Sequence, residues 1–161
     1  MNATLKTSLL SSIFAFSVLG VAHGSTNVGQ FEVKMSVNGS CEVGVPAAID
    51  FGTVNAGALV AAKTGTLTVR CTAGENPKIT LASGNSWKMV GTGAGSQGNN
   101  AGQKVGYRLY FGSGATQPWD ETNAVAVTGT GIQTELAIFA TAEKALYSGV
   151  YADTVTVSLT F

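Results

Sequence analysis

Cys41, Cys71 and His23 are the side chains with the widest chemical reach in this sequence. A thiol or hydroxyl beside an imidazole can form a nucleophile–base pair, and thiols with imidazoles can hold a metal. His23 is the sole histidine among 161 residues, and it falls inside a leader-like segment. Residues 1–24 carry one early Lys6, then an uncharged run from Leu9 to Ala22, then Ala22-His23-Gly24. A basic start, a short apolar run and small residues before a cut describe a secretory signal peptide, with cleavage expected after Gly24. The run is shorter than the about 20 apolar residues that a membrane span needs. Cleavage leaves 161 − 24 = 137 residues with no imidazole. A Ser–His or Cys–His pair and a His-ligated metal are then excluded, so no catalytic or metal-binding residue is expected. In an exported chain, Cys41 and Cys71 read as one disulfide, closing a loop of about 30 residues worth about 3–4 kcal/mol. The alternative, a reactive thiol, lacks a partner base.

Other candidate chemistries are weaker. Asp120-Glu121 beside Trp119 offer two carboxylates, as a glycosidase requires, but neighbours on a strand point to opposite faces. A polar turn is the plainer expectation. Trp87, Trp119 and the tyrosines could stack on sugars, although such residues more often fill a sandwich core. Gly93-Ala94-Gly95-Ser96-Gln97-Gly98 fits a phosphate-cradling motif, yet no helix pattern follows, so residues 91–102 read as a flexible hairpin loop. No cofactor is expected. Asn38-Gly39-Ser40 is a formal glycosylation sequon with a high false-positive risk.

Composition narrows the partners. Nine Lys and Arg balance nine Asp and Glu, so no basic surplus exists to neutralise nucleic-acid phosphates. With 45% hydrophobic residues and zero net charge, intrinsic disorder is excluded. The length allows one domain, and no later stretch is apolar enough to span a membrane.

The elements that must position these residues are strands. Two-residue alternation runs through Phe31, Val33, Met35 and Val37, then Cys41, Val43 and Val45. It returns at Leu67–Cys71, Ile79–Leu81, Val105–Phe111, Val125–Val127, Leu136–Ile138 and Val155–Phe161. Gly-rich turns separate the runs, and helical periodicity is absent, so the fold is all-β, a sandwich or barrel. Both cysteines lie on the apolar parity of their strands, which predicts an inward disulfide joining two strands. The ends are unusual. Val155, Val157, Leu159 and Phe161 form the cleanest alternation and nothing follows them. Near the other end, residues 31–45 fit one long first strand of a complete sandwich. Equally, residues 28–38 fit a separate strand with no place in its own fold.

Gly29-Gln30-Phe31-x-Val33-x-Met35-x-Val37, Cys41-x-Val43, Phe51-Gly52, Val69-x-Cys71-Thr72, Tyr107-x-Leu109-Tyr110, Trp119 and Gly149-x-Tyr151-x-Asp153-Thr154-Val155-x-Val157 together resemble the spore coat protein U family. Within that family the chain is most similar to subunits of archaic, Csu-type chaperone–usher pili. Two positions depart from the family pattern: Phe111-Gly112 stand where an acidic residue often follows Leu-Tyr, and Asp120 follows Trp119 where Gly is common. The resemblance implies an immunoglobulin-like sandwich lacking its last strand. It divides the chain into a leader (1–24), a donor-strand segment (25–38) and a sandwich domain (39–161). Val28, Phe31, Val33, Met35 and Val37 would enter a neighbour's groove. Val155, Val157, Leu159 and Phe161 would line the acceptor groove and meet a chaperone. The implied partners are identical or homologous pilin subunits, a periplasmic chaperone and an outer-membrane usher, in a surface fibre serving adhesion and biofilm formation. A secreted stand-alone coat protein or carbohydrate-binding module with a complete sandwich is the alternative. An adhesin's additional N-terminal domain would not fit in 137 residues.

Overall fold

The computed structural model describes residues 24, 27–93, 99–114 and 116–161. The expected leader, apart from Gly24, and residues 94–98 of the glycine motif lie outside them. The chain divides into two units, Met1–Ser36 and Val37–Phe161. In the first, described residues 24 and 27–36 belong to no strand.

The second unit contains nine strands among the described residues. They are β1 (Cys41–Gly44), β2 (Lys63–Cys71), β3 (Lys78–Ser83), β4 (Lys88–Gly91), β5 (Lys104–Phe111), β6 (Val125–Ala126), β7 (Thr134–Ala142), β8 (Tyr151–Ala152) and β9 (Val155–Thr160). One sheet has the order β1-β2-β7-β5-β4-β8 and the other β6-β3-β9, with every pairing antiparallel. This is an incomplete immunoglobulin-like β-sandwich.

Alternation explains why these segments face as they do. Successive side chains of a strand point to opposite faces, so the odd-numbered Leu67, Val69 and Cys71 of β2 and Val105, Tyr107 and Leu109 of β5 turn inward together. Leu136, Ile138 and Ala140 of β7 join them, and Ile79 and Leu81 of β3 face them from the smaller sheet. Trp119 fastens the two layers: its N–H donates to Leu109 O at 2.8 Å, and its indole Nε1 donates to Ile79 O at 2.9 Å. Its ring meets Phe111 edge-on at 5.6 Å. Thus Trp119 fills the core, as expected. Trp87 is half-buried against Tyr107 at 5.6 Å.

The structure decides between the two readings of residues 31–45, adds strands that the alternation did not show, and corrects one inward residue. The long strand proposed over 31–45 begins only at Cys41 and ends at Gly44, where Pro46, two residues on, has no N–H for a ladder. Strands β4 and β8 were not anticipated because apolar residues stand side by side in them, Met89-Val90 and Tyr151-Ala152, so no two-residue period shows. Phe111, placed with the inward series of β5, is 48% exposed at the strand's last position. The 91–102 connection does join antiparallel neighbours β4 and β5, with Gly91 N–H bonded to Gln103 O at 2.8 Å.

Cys41 and Cys71 are disulfide-bonded and sit directly opposite each other on β1 and β2, with Cα atoms 4.1 Å apart. Cys71 is buried and Cys41 half-buried. The bridge therefore reinforces neighbouring strands of one sheet. Replacing both cysteines by serine is expected to cost about 3 kcal/mol, because the reduced loop regains entropy in the unfolded chain. Urea denaturation should show this as a lower midpoint; an unchanged midpoint contradicts it.

Candidate functional site

Strand β9 is the place where the sandwich fails to close. It pairs with β3 on one side, and its outer side has no strand partner among the described residues. Thr156, Ser158 and Thr160 face solvent, while Val155, Val157 and Leu159 turn toward the core yet stay only half-buried. In an antiparallel edge strand, every second residue directs its N–H and C=O outward, so β9 presents unused ladder groups.

Beside it lies an open cleft of about 500 Å³. Val155 and Val157 of β9 and Leu81 of β3 line it from the smaller sheet, Met89, Tyr107, Leu109 and Ile138 from the larger, and residues 45–51 form a rim. That rim belongs to no strand. Ile49 packs over Gly65 of β2, where a Cβ would come within 3.0 Å of its side chain. Glycine there lets the rim approach the sheet. The cleft is thus an apolar trough between two stretches of backbone, one of them an unpaired strand edge.

The residues expected to form an acceptor groove are placed as follows. Val155 and Val157 line the cleft; Leu159 packs against the core farther along β9; Phe161 lies past the strand end and is 59% exposed. Of the expected donor residues, Val28, Phe31, Val33 and Met35 are exposed and in no strand. Val37, in the second unit, is also exposed and in no strand. Glu32 and Lys34 alternate with them and form an ion pair at 2.8 Å.

Two polar residues have a structural role that the sequence did not assign: Asp153, which lines the cleft and appeared above only within the family motif, and Asn100. Asp153 accepts hydrogen bonds from Ser83 Oγ at 2.5 Å, Tyr107 Oη at 2.6 Å and Asn85 Nδ2 at 2.7 Å. Burial works to raise its pKa, but these donors outweigh it and hold the carboxyl below its ordinary value. Burial, helped by the bond to Asp153, pushes the Tyr107 phenol well above its usual range. A signal was available: Asp153 shares the inward parity of Val155 and Val157, and a carboxylate on an apolar parity needs partners. Asn100 is fully buried, its Oδ1 accepting from Gly93 N–H at 3.1 Å and its Nδ2 donating to Val150 O at 2.8 Å. Gly149, at φ 140°, lies so close to the Asn100 amide that no Cβ could fit.

The carboxylate pair beside Trp119 makes a turn, as expected. Asp120 Oδ1 accepts from the backbone and side chains of both Thr122 and Asn123 at 2.8–2.9 Å. Glu121 accepts from Trp87 Nε1 at 3.2 Å. Among the described residues, no group of three or more His, Cys, Asp or Glu is placed to hold a metal, and no helix is long and apolar enough to cross a membrane.

The Asp153 cluster carries a pH dependence. A carboxyl with a depressed folded-state pKa contributes stability above its unfolded value of about 3.9, and this is lost as pH falls through the folded value. Tyr107 has the opposite sense: its contribution is present below about pH 10 and is lost as pH rises through the raised folded value. Thermal midpoints measured from pH 5 to pH 2 should therefore fall, and Asp153→Asn should flatten that fall. An acid limb of equal steepness in the variant contradicts the assignment.

Comparison with known proteins places this geometry in a family. Among solved structures, the fold is similar to a chain of the CsuC-CsuE chaperone-tip adhesion subunit pre-assembly complex, from the archaic chaperone-usher Csu pili of Acinetobacter baumannii. The match has 16% sequence identity and a TM-score of 0.56, covering 78% of this chain and 40% of that one. No curated protein matches the sequence. The model of the Spore Coat Protein U domain matches residues 27–158, most of the chain, and the protein therefore belongs to the spore coat protein U domain family.

Proposed function

We propose that the protein is a structural subunit of a surface pilus, assembled by the chaperone–usher route through donor-strand exchange. The observation that carries this reading is the open apolar cleft along the unpaired edge of β9. The same chain holds a strand-patterned segment, residues 31–37, whose apolar side chains are exposed and in no strand. Lengths agree: at about 3.3 Å per residue, seven residues span about 23 Å and the six of β9 about 20 Å. Main-chain bonds to β9 would give affinity, and Phe31, Val33, Met35 and Val37 would occupy the trough on alternate positions. Burying four such side chains is worth about 6–12 kcal/mol gross, before the cost of ordering the segment.

Head-to-tail filling of this kind does not close on itself, so it grows a filament. Before assembly, the exposed trough is an aggregation hazard. A periplasmic chaperone would cover it, and an outer-membrane usher would exchange chaperone for the next subunit. The similarity to a chain from a chaperone–subunit pre-assembly complex supports the chaperone as a partner. On this reading the chain is exported to the periplasm and then displayed at the cell surface. It performs no catalysis, and any adhesion or biofilm formation comes from the fibre.

Unboiled denaturing gels of the native fibre should show a ladder of multimers. Val33→Asp should remove the donor and Val157→Asp the acceptor, each abolishing the ladder alone. Mixed together, the two variants should form dimers and nothing longer, since one good donor meets one good acceptor. Ladders of normal length from either variant contradict the proposal.

A further inference from the structure

We infer that Asp153 is a positioning residue for strand uptake, setting the gape of the cleft before a strand enters it. The inference rests on the pilus reading above. Asp153 lies in the two-residue crossover between β8, an edge of the six-stranded sheet, and β9, an edge of the three-stranded one. One of its oxygens, Oδ2, accepts from both Ser83, the last residue of β3, and Tyr107, in the middle of β5. A single atom thereby joins the two sheets. The other oxygen holds Asn85 in the β3–β4 turn. Ser83 Oγ in turn accepts the N–H groups of Asn85 at 3.1 Å and Trp87 at 2.7 Å. These bonds sustain a turn in which Ser86 and Trp87 stand at φ 55° and 60°, a conformation disfavoured for side chains of their kind.

Tyr107 and Asp153 both line the cleft, so the bridge stands at the site itself. An empty apolar trough tends to narrow and bury its own walls. The bond from Tyr107 opposes that movement at the start of β9, with Asp153 held in place by Ser83 and Asn85. After a strand is seated, its ladder bonds and side chains fix the spacing instead. The bridge therefore acts on entry more than on retention. Ordinary contacts across an interface behave the other way, acting mainly on dissociation.

The test uses the full-length chain, refolded at concentrations too low for self-association, and a labelled synthetic peptide of residues 27–38. Association and dissociation are read separately. Tyr107→Phe, which keeps the ring and removes one bond, should slow association about tenfold and change dissociation by less than about threefold, the loss expected from one charge-assisted bond. Asp153→Ala should do the same more strongly. Leu67→Ala, buried in the core and away from the cleft lining, should lower the thermal midpoint and leave the association rate unchanged. Should Asp153→Ala not fold, Tyr107→Phe alone decides. Equal association rates in Tyr107→Phe and wild type, or a loss confined to dissociation, overturn the assignment while peptide capture still stands. Failure of the wild-type chain to take up any peptide overturns the pilus reading, and the role of Asp153 with it.

Discussion

Three strands cannot cover six. With neighbouring strands about 4.8 Å apart, a sheet of six is about 24 Å wide between its outer strands and a sheet of three about 10 Å. Part of the larger sheet's apolar face must therefore remain open, and the opening falls beside β9. The half-buried state of Val155 and Val157, the trough floored by Tyr107, Leu109 and Ile138, and the unused edge of β9 all follow from that one mismatch.

The rest of the fold holds the unfinished sandwich together. Trp119 links Leu109 of one sheet to Ile79 of the other through its two N–H groups. Asp153 links Ser83 to Tyr107 toward the other end of β3. The disulfide acts within the larger sheet, across β1 and β2, and so anchors the strand that follows residues 31–38 in sequence. An open core is thus compatible with order because polar ties join the two sheets and a covalent bond braces the larger one.

Much of this was legible in the sequence, and for a physical reason. Strands with one face against a core display their period, so the inward sides of β2, β3, β5, β7 and β9 could be read directly. The paired cysteines were legible because no other thiol or base competed for them. Asp153 was legible as a carboxylate on an inward parity, but its role was not, and Asn100 gave no sign, because Ser83 lies 70 residues from Asp153 and Val150 lies 50 from Asn100. The rim at 45–51 was hidden too, since a segment shaped by Pro46 and by packing on Gly65 has no period to show. Residues 31–37 alternate as a strand does yet belong to none, and alternation is silent about what they would pair with.

Amide hydrogen exchange on assembled multimers and on the lone chain reads the open edge of β9 itself. Residues 31–37 and the outward-facing amides of β9 are expected to exchange freely in the lone chain and to become protected together on assembly. Protection of the outer edge of β9 in the lone chain, or assembly that leaves residues 31–37 unprotected, contradicts it.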